Sequence, residues 1–203
     1  MINFQNLPKL DQGFYLKDAV EVAKNLLGKI IVRQYNNKLL AGTIVEVEAY
    51  DESEEASHSF NGLSRRNEVM FQKGGLLYVY LIYGIHYCCN VVTGNAGHGA
   101  AVLIRAVEPL NNLNLLAKNR FNKTSYSEKE KLNLTNGPAK LCKAFHINLA
   151  DNGEKLDGNN IYLLDAPRLK DENIVQTTRI GITQAKELLW RFYIKGNRFV
   201  SKP

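Results

Sequence analysis

Apolar positions recur along this chain in two rhythms, one helical and one of strands. Leu16, Val20, Ala23 and Leu27 fall at helical spacing and Gly28 follows where a helix would stop, so residues 16–27 read as a helix. Residues 29–34 and 39–50 read as strands, with Tyr35, Asn36 and Asn37 as the turn between them. Residues 53–62 are polar and loop-like, and 65–71 suit a short helix. The stretch 77–93 is dense in tyrosine and β-branched residues, with Gly84 near its centre. It predicts two strands folded into a hairpin with a tyrosine-lined tip. Residues 101–107 form a buried strand with one charge, Arg105. Pro109 is expected to open a helix reaching about Arg120, and the basic stretch 122–131 to be mobile. Asn136, Gly137 and Pro138 read as the start of a helix continuing to Phe145. Further strands are expected at 161–164 and 174–182, a short helix at 184–188, and a last strand pair, 192–195 and 198–200, joined at Gly196 and Asn197.

Strands dispersed among short helices predict a mixed α/β (α+β) fold. The 203 residues carry no linker rich in Gly, Pro or Ser, so one domain over 1–203 is expected. The 45% hydrophobic and 23% charged content is that of an ordinary folded protein. The three cysteines, two of them adjacent, form neither a disulfide framework nor a CxxC metal motif. A reducing compartment suits them, and the cytoplasm is expected: nucleoid-associated in a bacterium, nuclear in a eukaryote. Residues 1–10 lack the basic and apolar regions of a secretory signal, and no apolar run reaches membrane-spanning length.

Charge sharpens the picture. The formal net charge is +6, from 26 basic against 20 acidic side chains. Six carboxylates crowd into residues 46–55, which leaves 26 basic against 14 acidic residues elsewhere. Such a surface favours a polyanion, and nucleic acid suits it better than lipid. A protein that only coats phosphates gains nothing from an acidic cluster. Residues 51–55 read as a solvated loop. Glu46 and Glu48 differ, because they alternate with β-branched residues in a strand and so share one face.

No nucleotide-binding glycine motif and no GxSxG elbow is present. Carboxylate chemistry with His and Tyr partners remains. One coherent reaction is attack of water on a glycosidic carbon, with a carboxylate deprotonating the water and facing the cationic sugar. The base must first leave the duplex stack and enter an aromatic pocket. An aromatic wedge fills the gap it leaves.

Several motifs, in order, resemble a known family. They are Val47-Glu48-Ala49-Tyr50, Ala56-Ser57-His58, Arg66-Asn67, Met70-Phe71, the run from Leu77 to Gly84, the run from Ala101 to Pro109, the run from Asn136 to Cys142, and Arg179-Ile180-Gly181-Ile182. Together they resemble the alkyladenine DNA glycosylases, the 3-methyladenine DNA glycosylase family, over roughly residues 15–200. The resemblance implies a single domain with a curved antiparallel sheet and a protruding β-hairpin that intercalates into DNA. It implies a monofunctional glycosylase needing no metal or cofactor. Its partner would be double-stranded DNA containing damaged purines, and it would act as a monomer in base excision repair.

The resemblance also assigns roles. Glu48 is the expected general base and Arg105 its partner. Tyr50, Tyr80 and His58 are the expected walls of the base pocket. Asn90 is expected to disfavour bases with an exocyclic amino group, and Ile182 to bring its backbone near the water. Tyr83 is the expected wedge. Lys118, Arg120, Lys195 and Arg198 are candidate phosphate contacts. Even without the family, Arg105 in an apolar strand demands an anionic partner. Two rivals remain: a nucleic-acid-binding module whose tyrosines merely stack on bases, and a carbohydrate hydrolase using the same carboxylates.

Overall fold

The computed structural model describes residues 4–202. Residues 1–3, part of the amino-terminal stretch read above, lie outside the described residues, as does Pro203. The fold is mixed α/β. Eight strands form one antiparallel sheet: β1 (Ile30–Tyr35), β2 (Lys38–Asp51), β3 (Leu77–Ile82), β4 (His86–Val92), β5 (Ala100–Pro109), β6 (Ile161–Leu164), β7 (Ile174–Thr177) and β8 (Arg191–Ile194). Among the described residues five α-helices accompany them: α1 (Gln12–Tyr15), α2 (Ala19–Leu26), α3 (Leu113–Phe121), α4 (Glu128–Leu132) and α5 (Pro138–Phe145).

The sheet order is β3-β4-β5-β2-β1-β6, with β8 paired to β2 and β7 to β8. β2 is the organising strand. Along one edge it pairs with β5 for most of its length. Along the other it pairs first with β1, from Lys38 to Thr43, and then with β8, from Glu46 to Glu48. The β2–β5 register shifts around Glu46, marking a bulge where β8 takes over the edge. The alternating carboxylates therefore sit in the middle of three strands, and both are fully buried.

The core lies between the sheet and helices α2 and α5. Ala19, Val22, Ala23 and Leu26 form the inner stripe of α2, and Leu141, Cys142, Ala144 and Phe145 that of α5. Each large side chain buried there stabilises the fold by about 1.5–3 kcal/mol. Packing is tightest at Gly42, where an added Cβ would come within 2.2 Å of Val107 Cγ1.

Several sequence expectations need correction. The helix at 16–27 begins only at Ala19, because the Asp18 side chain accepts from Val20 N and Glu21 N and caps it there. Pro109 closes β5 opposite Gly42, where a missing N–H costs little. The helix waits until Leu113, after Asn111 and Asn112 both donate to Leu39 O. The expected mobile stretch 122–131 ends in α4, opened by a capping box between Ser127 and Glu130. The strand expected over 174–182 stops at Thr177, and residues 178–190 form neither strand nor helix. The last strand, β8, pairs with β2 and β7 and not with residues 198–200.

Candidate active site

β2 carries the site's carboxylates, and β5 supplies their cation. Arg105 donates from Nη1 to Glu48 Oε2 at 3.1 Å and from Nε to Glu46 Oε1 at 3.3 Å. The ion pair demanded by a guanidinium in an apolar strand is thus present. The two glutamates then diverge. Glu46 also accepts from Arg191 Nε (2.8 Å), Ser201 N (2.7 Å) and Ser201 Oγ (2.9 Å). It holds four donors, three on Oε1 and one on Oε2, and faces the carboxy-terminal segment.

Glu48 accepts at Oε2 from the Tyr50 hydroxyl (2.9 Å) and at Oε1 from Ile180 N (2.7 Å). With Arg105 that makes three donors. An ionised carboxylate has about four lone-pair positions, so one on Oε1 stays open. Tyr50, Arg105 and Ile180 all line a cavity of about 490 Å³. Glu48 is fully buried behind the wall those three make.

Tyr50, His58, Tyr78, Tyr80 and Tyr83 give the cavity an aromatic side. His58 Nδ1 shares a 3.1 Å hydrogen bond with the Tyr78 hydroxyl, and its ring meets Tyr80 edge-on with centroids 4.5 Å apart. Burial pushes the His58 pKa down, and the nearby Arg66 cation lowers it further. His58 is therefore a neutral hydrogen-bonding group near pH 7. Burial, then the Glu48 carboxylate, drives the Tyr50 hydroxyl far above its ordinary pKa, so it serves Glu48 only as a donor. Cys88, opposite Tyr80 in the hairpin register, also lines the cavity, and burial pushes its thiol up to about 11. Asn90 is buried, lines the cavity and donates to Tyr78 O at 3.1 Å.

The β3–β4 hairpin turns through Tyr83, Gly84 and Ile85. Tyr83 is 84% exposed and Ile85 73% exposed, the two largest exposures among the big apolar side chains described. Tyr83 also adopts φ 53°, unusual for a bulky residue, and it lines the cavity rim.

Ile182 lines the cavity as well, but the backbone donor that reaches the carboxylate is two residues earlier, at Ile180. The four candidate phosphate contacts lie elsewhere. Lys118, Lys195 and Arg198 are exposed, Arg120 is half-buried beside Phe121, and none lines the cavity in front of Glu48. Arg198 lines a separate cavity with Glu108 and Phe199. The solvated-loop reading of residues 51–55 fails most clearly at Glu54, which is buried and ion-paired with Arg179. Asp51 and Glu52 are tied to His98, and Glu55 lines the cavity. Tyr78, which lines the cavity, and Arg179, which packs against the Tyr50 ring outside the lining, stood in the motifs above without an assigned role. An Arg embedded among apolar residues was the signal for Arg105; Arg179 follows Gln176, Thr177 and Thr178 and had no such signal.

Among the described residues, no group of three or more His, Cys, Asp or Glu side chains could hold a metal ion. All three cysteines are free and buried. No helix among the described residues is long and apolar enough to cross a membrane.

A buried, charge-paired glutamate thus lies behind an aromatic-lined cavity, beside an exposed aromatic hairpin. Comparison with known proteins gives the family. Residues 13–198 match the profile of the methylpurine-DNA glycosylase (MPG) family, and the chain belongs to that family. It is accordingly an enzyme of the DNA glycosylase class, a hydrolase of N-glycosyl bonds. A protein of Clostridium botulinum (strain Alaska E43 / Type E3) is 48% identical over 201 residues, covering 95% of this chain and 98% of that one. One of Carboxydothermus hydrogenoformans is 47% identical over 194 residues, with the same two coverages. One of Clostridium novyi (strain NT) is 46% identical over 206 residues, covering 97% of this chain and all of that one. Each bears the name "Putative 3-methyladenine DNA glycosylase".

Proposed function

We propose that the chain acts as one domain, a monofunctional glycosylase that removes damaged purines from duplex DNA and leaves an abasic site. The observation that carries this reading is the environment of Glu48: three donors, one open lone pair, and a cavity wall made of its own partners.

In this reading Tyr83 enters the duplex and takes the place of the flipped nucleotide. Tyr50, Tyr80 and His58 enclose the purine. Water held at the free Oε1 position attacks C1′. The C1′–N bond breaks with its electron pair going to the base, the water oxygen bonds C1′, and Glu48 takes the water's proton. The negative carboxylate also faces the cationic sugar as it forms. Arg105, Tyr50 and Ile180 N–H fix the carboxylate's orientation throughout. None of the described residues lining the cavity is a lysine, so the cavity offers no amine for a covalent intermediate. Lys118, Arg120, Lys195 and Arg198 remain candidates for phosphate contact outside the pocket.

The purines proposed are those of the 3-methyladenine, hypoxanthine and ethenoadenine class. A cationic alkylated base leaves readily, whereas hypoxanthine must be protonated or strongly hydrogen-bonded to leave, a hydrogen bond this reading assigns to His58 on the cavity wall. Excision from duplexes carrying one such purine each, side by side with undamaged duplex, tests the reading. Free base is expected from the damaged duplexes alone.

The rivals fit less well. A stacking module has no use for a buried carboxylate that costs desolvation energy. A carbohydrate hydrolase needs two working carboxyl groups, and Glu46 is consumed by Arg105, Arg191 and Ser201.

A further inference from the structure

We infer that Arg179 is a positioning residue for the reaction: it holds the irregular segment 178–190 so that Ile180 N–H meets Glu48 and the Tyr50 ring is backed. The inference rests on the reading of Glu48 as the general base.

Residues 178–190 form one side of the cavity, through Ile180, Gly181, Ile182, Thr183 and Gln184. The segment has no helix or strand to give it shape. Among the described residues, backbone bonds hold it only from Ala49 N to Trp190 O and from Leu188 N to Ala185 O, and Arg179 makes most of its side-chain ties. The guanidinium is fully buried. It grips Glu54 with two hydrogen bonds, Nη1 to Oε1 at 2.6 Å and Nη2 to Oε2 at 2.8 Å. Nη1 also donates to Ala49 O (3.0 Å) and Nη2 to Ala185 O (3.4 Å). One side chain thus joins β2, the acidic loop and the middle of its own segment.

Two consequences reach the site. Arg179 directly precedes Ile180, whose N–H donates to Glu48 Oε1. Its guanidinium also lies 4.6 Å from the centroid of the Tyr50 ring, with Trp190 at 5.4 Å. Tyr50 is therefore held by Glu48 at its hydroxyl and by Arg179 at its face. The planar fork matters as much as the charge, since a lysine ammonium cannot bond both Glu54 oxygens and two carbonyls in fixed directions.

Arg179→Lys and Glu54→Gln test this. Hydrogen exchange is followed at the Ile180 amide and across the β2–β5 ladder, alongside single-turnover excision and affinity for undamaged duplex. Arg179→Lys is expected to speed exchange at Ile180 relative to the ladder and to slow excision, each by about tenfold to a hundredfold, as for a lost hydrogen bond to a charged group. Duplex affinity should hold. Glu54→Gln, which keeps the shape of the acceptor, should give the same pattern more weakly, and it carries the test if Arg179→Lys does not fold. An unchanged excision rate in the variants, or protection lost equally across the whole ladder, would overturn the inference. If Glu48→Gln keeps full excision, the reading of Glu48 fails instead, and exchange at Ile180 still reports whether Arg179 orders the segment.

Discussion

The Tyr50 hydroxyl lies 2.9 Å from Glu48 Oε2, two residues back along the same strand, so a cavity wall and the carboxylate behind it form one unit. Residues two apart on a strand share a face. The pairing costs no loop closure and needs no other element. It also means that the ring lining the cavity and the oxygen that bonds the carboxylate belong to one side chain.

Tyr50→Phe separates those roles. The ring remains to stack, but Glu48 loses a donor. We expect excision to fall by about tenfold, the value of one hydrogen bond to a charged group, with damaged-duplex affinity nearly unchanged. Single-turnover rates set beside binding titrations check it. A loss confined to affinity would mean that Tyr50 acts through stacking alone.

Glu46→Gln probes the other carboxylate. Glu46 is fully buried and meets two arginines, so removing its charge should destabilise the fold by about 3–5 kcal/mol, as for breaking a buried pair. The protein that stays folded should still excise. Denaturant unfolding together with activity per folded molecule distinguishes this from a second chemical role.

Tyr83→Gly tests the hairpin tip. At φ 53° a tyrosine is strained and glycine is not. Thermal stability should hold or rise slightly. Excision from duplex should fall by about tenfold to a hundredfold, matching about 1–3 kcal/mol for a lost aromatic–base stack. A fall in stability with unchanged excision would remove Tyr83 from the mechanism.

Two histidines should respond to pH with opposite signs. His58 has its pKa lowered from 6.5 by burial and then by Arg66, so the unfolded chain binds its proton more readily. Its contribution is therefore a loss of stability as pH falls below 6.5 toward the folded value. His98 is partly buried, which works against its charge, yet Asp51 and Glu52 overcome that and raise its pKa above 6.5. Its stabilisation is present below 6.5 and lost as pH rises through the raised value. Melting temperatures of His58→Gln and His98→Gln across pH 5 to 8 should each flatten one limb of the wild-type curve (the window is that of ordinary histidine titration).

Much of the sheet was legible because β1 to β5 follow period-two and β-branched patterns that only strands satisfy. The hairpin tip showed through Gly84. The carboxylates at 46 and 48 stood out as an acidic exception within a basic chain. What stayed hidden depended on long-range partners. Glu54 looked like surface until Arg179, 125 residues away, was seen to grip it. The Ile180 donor is a backbone N–H, which leaves no mark in the sequence. Pro109 looked like a helix opener because a proline at a strand end and one at a helix start have the same neighbours. Asp18 moved a helix boundary by three residues, since its cap outweighed the apolar spacing that began at Leu16.

The central claim is that Glu48 activates the attacking water. The direct measurement is single-turnover release of free base from a duplex carrying one alkylated purine, comparing wild type with Glu48→Gln at saturating protein. Release is expected to fall by at least about a hundredfold, the lower end of what a general base contributes, while binding to the same duplex persists. Equal release by the two proteins would contradict the account.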